Sequence, residues 1–323
     1  MKAIAIQQCG GPEAMQLLEL PVPQPKAGEA LVKVEAGGVN FIDCYYRSGL
    51  YKAPQLPLVL GSEGAGIVES VGEGVTTVKQ GDRVAWAMVL GSYAEYAAVP
   101  AARLVIVPPD IKLRDAAALM LQGMTAHYLS ESTFPLQSGQ VALIHAGAGG
   151  VGLLLTQLAK AKGAIVITTV STAEKAALSK QAGADHTIDY TQVDFAVEVR
   201  RITGGKGADV VYDSVGKTTF DKSLDSLRPR GYLVLFGSSS GPVAPVDPQT
   251  LNAKGSLFLT RPSLAHYTLT PEEIAWRADS IFSAVREGKL KVRAEREYPL
   301  ADAARAHQDL EGRKTTGKLL LLP

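Results

Sequence analysis

Val141-Ala142-Leu143-Ile144-His145-Ala146-Gly147-Ala148-Gly149-Gly150-Val151-Gly152-Leu153-Leu154-Leu155-Thr156-Gln157-Leu158-Ala159-Lys160 decides how this chain is read. An apolar run of strand length enters a glycine cluster, and an alanine- and leucine-rich segment with helical spacing leaves it, so the stretch is predicted as strand, tight turn, helix. Gly147, Gly149 and Gly152 fit G-x-G-x-x-G, with Gly150 and Val151 filling the positions between the second and third glycines. The first glycine is expected to allow the sharp turn, the second to let backbone amides approach a pyrophosphate, and the third to let helix and strand pack closely. The helix N-terminus then offers N–H groups and a favourable dipole to an anion. An isolated fingerprint also fits a glycine-rich turn that binds nothing. The strand before it and the helix after it favour a dinucleotide cradle.

Working outward, strand candidates at 165–170, 187–189, 208–212, 232–236 and 256–260 alternate with helix candidates at 173–182, 193–202 and 218–227. Such alternation predicts a mainly parallel sheet with helices on both faces, a doubly wound α/β domain. The first 120 residues look different. Short β-rich runs at 31–36, 66–71 and 83–86 lie between glycines and prolines with no room for a helix layer, which predicts an irregular β-barrel. A helix-prone segment at 116–129 leads to the cradle strand, and an amphipathic helix is expected at 271–287. The tail, with a helix at 301–310 and an apolar strand at 318–322, is expected to return to the first domain. The division is therefore 1–122 with 298–323 for the β-rich domain and 123–297 for the nucleotide domain.

Composition narrows the function classes. The 323 residues are 46% hydrophobic and 20% charged, with no apolar run long enough to span a bilayer, so no membrane partner is expected. The amino terminus alternates like a strand and lacks a signal core, which makes the cytoplasm the expected location. A formal charge of +1, from 33 basic and 32 acidic residues, provides no field for nucleic acid. Cys9 and Cys44 are too few for a disulfide framework or a four-cysteine zinc site. His186, His266 and His307 stand alone in the sequence and are read as satisfied or exposed side chains.

Several stretches together resemble the medium-chain dehydrogenase/reductase superfamily: Gly61-Ser62-Glu63-Gly64-Ala65-Gly66-Ile67-Val68, the cradle, and Tyr212-Asp213-Ser214-Val215-Gly216. Within it, Val39-Asn40-Phe41-Ile42-Asp43-Cys44-Tyr45-Tyr46-Arg47-Ser48-Gly49, Phe236-Gly237-Ser238-Ser239-Ser240-Gly241 and Thr260-Arg261-Pro262-Ser263-Leu264 are similar to the quinone oxidoreductases, including zeta-crystallin. The resemblance implies a GroES-like β-barrel catalytic domain plus a Rossmann domain. Zinc-dependent relatives place a ligand Cys where this chain has Asn40 and a ligand His where it has Ser62, and the cysteine-rich structural-zinc loop is missing. No metal is therefore expected. A quinone or conjugated enone spreads developing charge through its own π-system, so its reduction needs orientation and a hydrogen bond more than a Lewis acid.

The resemblance implies that Asn40 and Tyr45 lie near the nicotinamide, and Tyr51, in the same loop, is a candidate to face the substrate. Read by itself, Asn40 closes a turn equally well, and the Tyr45, Tyr46 and Tyr51 cluster is as often packing as chemistry. At the tip of the second nucleotide-domain strand there is no acid to repel a 2′-phosphate, and the resemblance implies that Ser171, Lys175 and Tyr190 hold it, although Lys175 by itself reads as a solvated helix lysine; the expected cofactor is NADPH. Further cofactor residues implied are Phe41, Asp43, Thr125, Tyr128, Gly216, Phe236, Gly237, Ser238, Ser239, Arg261 and Arg313. The expected activity is zinc-independent transfer of reducing equivalents from NADPH to a small-molecule quinone. An alkenal or enone reductase of the same fold is the alternative, with a non-catalytic nucleotide sensor or an RNA-binding protein, as the resemblance to zeta-crystallins suggests, as a further one. A homodimer through the nucleotide domain, along 256–260, is also implied.

Overall fold

The alternating amino terminus forms β1 (Lys2–Ile6), antiparallel to β2 (Met15–Glu19), in the computed structural model, which describes residues 1–294 and 296–323. Next come β3 (Glu29–Val39), α1 (Phe41–Ser48), β4 (Leu58–Val59), β5 (Glu63–Val71), β6 (Arg83–Ala87), β7 (Tyr96–Pro100) and β8 (Val105–Ile106). β3 is the spine of this half, pairing antiparallel with both β5 and β7. Its inward residues Ala30, Val32 and Val34 bury against Val68, Val84 and Trp86, which is the pattern that alternating strands around one core produce.

α1 is a helix where the sequence analysis expects loop. The backbone N–H of Asn40 donates to the Asp43 carboxylate at 2.9 Å, and Gly49, at φ 82, closes the other end in a left-handed conformation. Two well-made caps stabilise an eight-residue helix whose aromatic composition does not advertise it.

α2 (Leu113–Tyr128) carries the boundary between two compact units, Met1–Met124 with Thr268–Pro323, and Thr125–Tyr267. The second unit runs β9 (Val141–Ile144), α3 (Gly150–Ala161), β10 (Ile165–Val170), α4 (Ala173–Gln181), β11 (His186–Asp189), α5 (Phe195–Ile202), β12 (Ala208–Asp213), α6 (Phe220–Asp225), β13 (Leu227–Leu235), α7 (Pro248–Ala253) and β14 (Phe258–Thr260). Its six strands are all parallel, in the order β11-β10-β9-β12-β13-β14. The chain winds outward from β9 one way, then restarts at β12 and winds the other way. The reversal leaves a crevice beyond the carboxyl ends of β9 and β12, where ligands of such sheets bind.

The chain then forms α8 (Pro271–Arg286), β15 (Arg296–Pro299), α9 (Ala303–Glu311) and β16 (Leu319–Leu322). β16 pairs antiparallel with β3, Leu319 opposite Val39, so the tail returns to the β-rich unit. The division at 297 expected from sequence is displaced, because residues 268–297 also belong to the first unit. Buried Ile274, Ala278, Ile281 and Phe282 form the apolar face of α8, Ile281 lies against Gly123, and Arg286 pairs with Asp110 at 2.8 Å. An amphipathic helix read in isolation does not say which core its apolar face meets.

Candidate functional site

The cradle begins where β9 ends. Gly147 and Gly152 are sites of close approach: a Cβ on Gly147 would sit 2.5 Å from Thr168 Cβ of β10, and one on Gly152 would sit 2.3 Å from the Ala146 carbonyl oxygen. The left-handed turn residue is Ala146, at φ 52, which corrects the expectation that Gly147 makes the sharp turn. Gly149 caps α3 without a side-chain cap bond, and Gly150 and Val151 open the helix, a helix start of the kind that suits an anion.

At the tip of β10, Ser171 and Lys175 meet: the Lys175 ammonium donates to Ser171 Oγ at 3.3 Å. Thr172 caps α4 by accepting from the Lys175 N–H at 3.2 Å. Tyr190 follows β11, 39% exposed, with its N–H bonded to the Val170 carbonyl at the end of β10. A serine hydroxyl, an ammonium and a phenol at two adjacent strand ends form a donor set suited to a phosphate, with no carboxylate at the tip of β10, although β11 ends on Asp189.

Beneath the crevice lies a buried polar network that the sequence reading does not single out. Asp213, at the end of β12, accepts from the Val215 and Gly216 N–H groups at 2.8 and 3.0 Å and from the Thr219 and Ser223 hydroxyls. Since Ser223 spends its proton on Asp213, its oxygen accepts from His145 Nε2, and His145 Nδ1 accepts from Thr169 Oγ1. Burial holds the imidazole below its ordinary pKa, so it stays neutral in this role. Asp213 thereby fixes the Ser214–Gly216 turn. Gly237 packs on that turn so tightly that a Cβ would lie 2.5 Å from the Ser214 oxygen. Phe236, Gly237, Ser238 and Ser239 are each half-buried along the adjoining loop, as is expected of residues bordering a ligand.

Other expected residues are dispersed. Tyr128 is 2% exposed and stacks on Tyr267, ring centroids 4.4 Å apart, and Thr125 is buried. Arg261 is exposed, donating to its neighbour Pro262 at 3.1 Å, and Arg313 is exposed in the turn after α9, at φ 56.

In the first unit, Asn40 stands at the head of α1 with its amide engaged on every side. Its Nδ2 donates to Glu63 Oε1 at 2.6 Å and to the Gly38 carbonyl at 3.4 Å, while its Oδ1 accepts from Lys318 at 2.8 Å and from Gln122 at 3.2 Å. Lys318 also bonds Glu63 directly. Asp43 is the correction in the cofactor set. It has no exposed surface, and its carboxyl is taken up by the Asn40 N–H, Ser62 Oγ at 2.6 Å and Tyr93 OH at 3.1 Å. Burial pushes this carboxyl up to about 6. Tyr93 continues to His307 Nε2 at 3.1 Å, whose Nδ1 faces Arg47 at 3.0 Å, so His307 is a satisfied core histidine as expected. Ser62 and Asn40, at the zinc-ligand positions of relatives, are thus occupied with protein partners. Among the described residues, no cluster of three or more His, Cys, Asp or Glu is arranged to hold a metal ion.

The tyrosines do come together. Tyr51 sits 5.2 Å from Tyr45 and 5.8 Å from Tyr46, ring centre to ring centre. Tyr45 is 9% exposed, with Phe41 half-buried at its flank, whereas Tyr46 and Tyr51 are both half-buried and keep accessible surface. Gln122 and Lys318 are site residues the sequence reading misses. Their signal is a polar residue inside an apolar pattern: a glutamine in the alanine- and leucine-rich α2, and a lysine opening an all-leucine strand.

A parallel sheet with a glycine cradle at its switch point, in a chain whose other unit is β-rich and holds both chain ends, defines a dinucleotide-dependent oxidoreductase class. Family models agree: one described as alcohol dehydrogenase GroES-like domain matches residues 26–109, and one described as zinc-binding dehydrogenase matches 150–273. A quinone oxidoreductase of Pseudomonas aeruginosa is 48% identical over 100% of this chain and 99% of its own. A Burkholderia 2-haloacrylate reductase is 44% identical over 99% and 98%. Among solved structures, the Escherichia coli quinone oxidoreductase complexed with NADPH superposes with TM-score 0.98 at 46% identity, covering 100% of both chains. A mycobacterial protein complexed with NADPH gives TM-score 0.98 at 55% identity, again covering 100% of both. The chain belongs to the quinone oxidoreductase family of the medium-chain dehydrogenases/reductases.

Proposed function

We propose that this chain is an NADPH-dependent quinone reductase that works without a metal. The observation that carries the reading is full-length likeness to quinone oxidoreductases solved with NADPH, together with a phosphate-suited donor set at Ser171, Lys175 and Tyr190. The residues fit the dinucleotide: Gly147 and Gly152 leave the turn no room for a side chain, and the α3 N-terminus is open toward an anion. When bound, NADPH supplies the two reducing equivalents. In this proposal Ser171, Lys175 and Tyr190 hold the 2′-phosphate, Gly149 to Gly152 the pyrophosphate, and Gly216 with Phe236 to Ser239 the nicotinamide side. Asn40, Tyr45 and Tyr51 address the acceptor, with Tyr51 the candidate to donate a hydroxyl hydrogen bond to it. The proposal includes a cytoplasmic location and a homodimer along β14, the free edge of the sheet, where Phe258 is 49% exposed. No described helix is long and apolar enough to cross a membrane.

The test is oxidation of NADPH, and separately NADH, with a simple quinone and with a small enal, in chelating buffer. Rapid NADPH loss with the quinone supports the reading. Turnover confined to the enal favours C=C reduction instead, the second reading, which the 2-haloacrylate reductase likeness motivates. RNA retention without turnover with either acceptor returns the sensor reading.

A further inference from the structure

Glu63 and Lys318 form an ion pair with almost no exposed surface, at 0% and 1% of their side chains. A buried pair of this kind is weak evidence for stability, because desolvation offsets most of the attraction. What distinguishes this pair is its third member. Glu63 Oε1 accepts from Asn40 Nδ2 at 2.6 Å, and Lys318 donates to Asn40 Oδ1 at 2.8 Å, so the anion faces the amide nitrogen and the cation faces the amide oxygen. Turning the amide over would set its oxygen against a carboxylate and its NH₂ against an ammonium. The pair therefore permits one orientation of Asn40.

The framework locks the pair in turn. Glu63 Oε2 accepts from the Leu121 N–H at 2.6 Å, tying it to α2. Gly38 leaves the space the carboxylate occupies, since a Cβ there would lie 2.3 Å from Glu63 Oε1. Lys318 is delivered by the residue preceding β16, whose Leu319 pairs with Val39 beside Asn40. In the orientation so fixed, one Nδ2 hydrogen is held short by Glu63. The other makes only the 3.4 Å contact to Gly38, and is the one a bound acceptor oxygen can draw away.

We propose that the buried Glu63–Lys318 pair is a positioning device for the quinone reduction, fixing the Asn40 amide so that its second N–H is presented to the acceptor oxygen. The inference rests on the reading of Asn40 as an acceptor contact. It makes Glu63 and Lys318 positioning residues that touch neither cofactor nor substrate and act through Asn40.

A mutant cycle tests it, using Asn40→Ala, the charge-neutral double replacement Lys318→Met with Glu63→Gln, and all three together. The double replacement leaves no unpaired charge. Asn40→Ala and the double replacement are each expected to lower quinone kcat by about tenfold or more, with NADPH affinity within about twofold of the parent. The triple variant is expected to be no slower than the slower of the two, because the pair acts only through Asn40. A merely structural role would cost turnover again in the Asn40→Ala background. Wild-type turnover in the double replacement, or multiplied losses in the triple variant, overturns the inference while leaving Asn40 its role. Unchanged turnover in Asn40→Ala overturns the reading beneath it. Should the double replacement not fold, Glu63→Asp, which keeps the charge and withdraws the carboxylate by one methylene, carries the same expectation and the same cycle.

Discussion

Replacing Gly152 by Ala sets two effects against each other. Gly152 lies in the interior of the first turn of α3, where alanine is favoured over glycine by about 1 kcal/mol. Against that gain, the new methyl would lie 2.3 Å from the Ala146 carbonyl oxygen and 3.0 Å from Gly147 Cα, both backbone atoms of the cradle turn. Neither yields by a rotamer change. Ala146 already holds φ 52, the Gly147 N–H is tied to the Thr169 carbonyl at 3.0 Å, and Gly147 itself abuts Thr168, so the turn has nowhere to retreat. Relief requires the helix start to move outward by roughly 1 Å, which overpacking studies put at about 1–3 kcal/mol. The expected outcome is a net loss of up to about 2 kcal/mol in urea unfolding and at least a tenfold weaker NADPH affinity, because the displaced helix start is the proposed pyrophosphate site. Gly149→Ala is the control, since its methyl meets the Ala146 oxygen at only 3.2 Å, and it should alter stability by less than about 1 kcal/mol. A Gly152→Ala protein with raised stability and unchanged NADPH affinity would refute the steric argument.

Lys175→Ala should reduce NADPH affinity about 10- to 100-fold and leave NADH affinity unchanged, as loss of a charge-assisted bond to phosphate would do; equal effects on both nucleotides count against a 2′-phosphate role. Tyr51→Phe should lower quinone kcat/KM about tenfold, the loss of one hydrogen bond, while Tyr45→Phe leaves it unaltered; no change in either excludes hydroxyl participation. Asp43, raised to about 6 from 3.8, keeps a proton in the folded chain that the unfolded carboxyl loses, so its contribution to stability is present below about pH 4 and lost as pH rises through 6. His307, lowered to about 3 from 6.5 by burial and then by the Arg47 charge, stays neutral when folded, so its contribution is present above pH 6.5 and lost as pH falls through 3. The slopes oppose each other between about pH 4 and 6. His307→Gln should expose the Asp43 slope, a fall of about 2 kcal/mol from pH 4 to 6, whereas the same slope in parent and variant would contradict it.

The sequence by itself determined most of the nucleotide half, the short helix α7 excepted. Its strands and helices are read from periodicities set within a few residues, and the cradle is a local object in which turn, spacing and helix start all lie between Val141 and Lys160. The return of the tail is likewise legible, since an all-leucine strand must find a buried partner. The structure decided some local geometry and whatever depends on residues far apart in the chain. It showed α1 to be a capped helix, gave α8 to the β-rich unit, and put the left-handed turn on Ala146 rather than a glycine. It also removed Asp43 from any exposed role. The largest gap was the Asn40 cluster. Glu63 and Lys318 are 255 residues apart in sequence, and no spacing rule connects them. They meet because β16 pairs with β3 and brings Lys318 to the head of α1. Whether a polar side chain in such a pattern faces water or a buried partner is fixed by which strand lies beside it, and that information exists only once the sheet has closed.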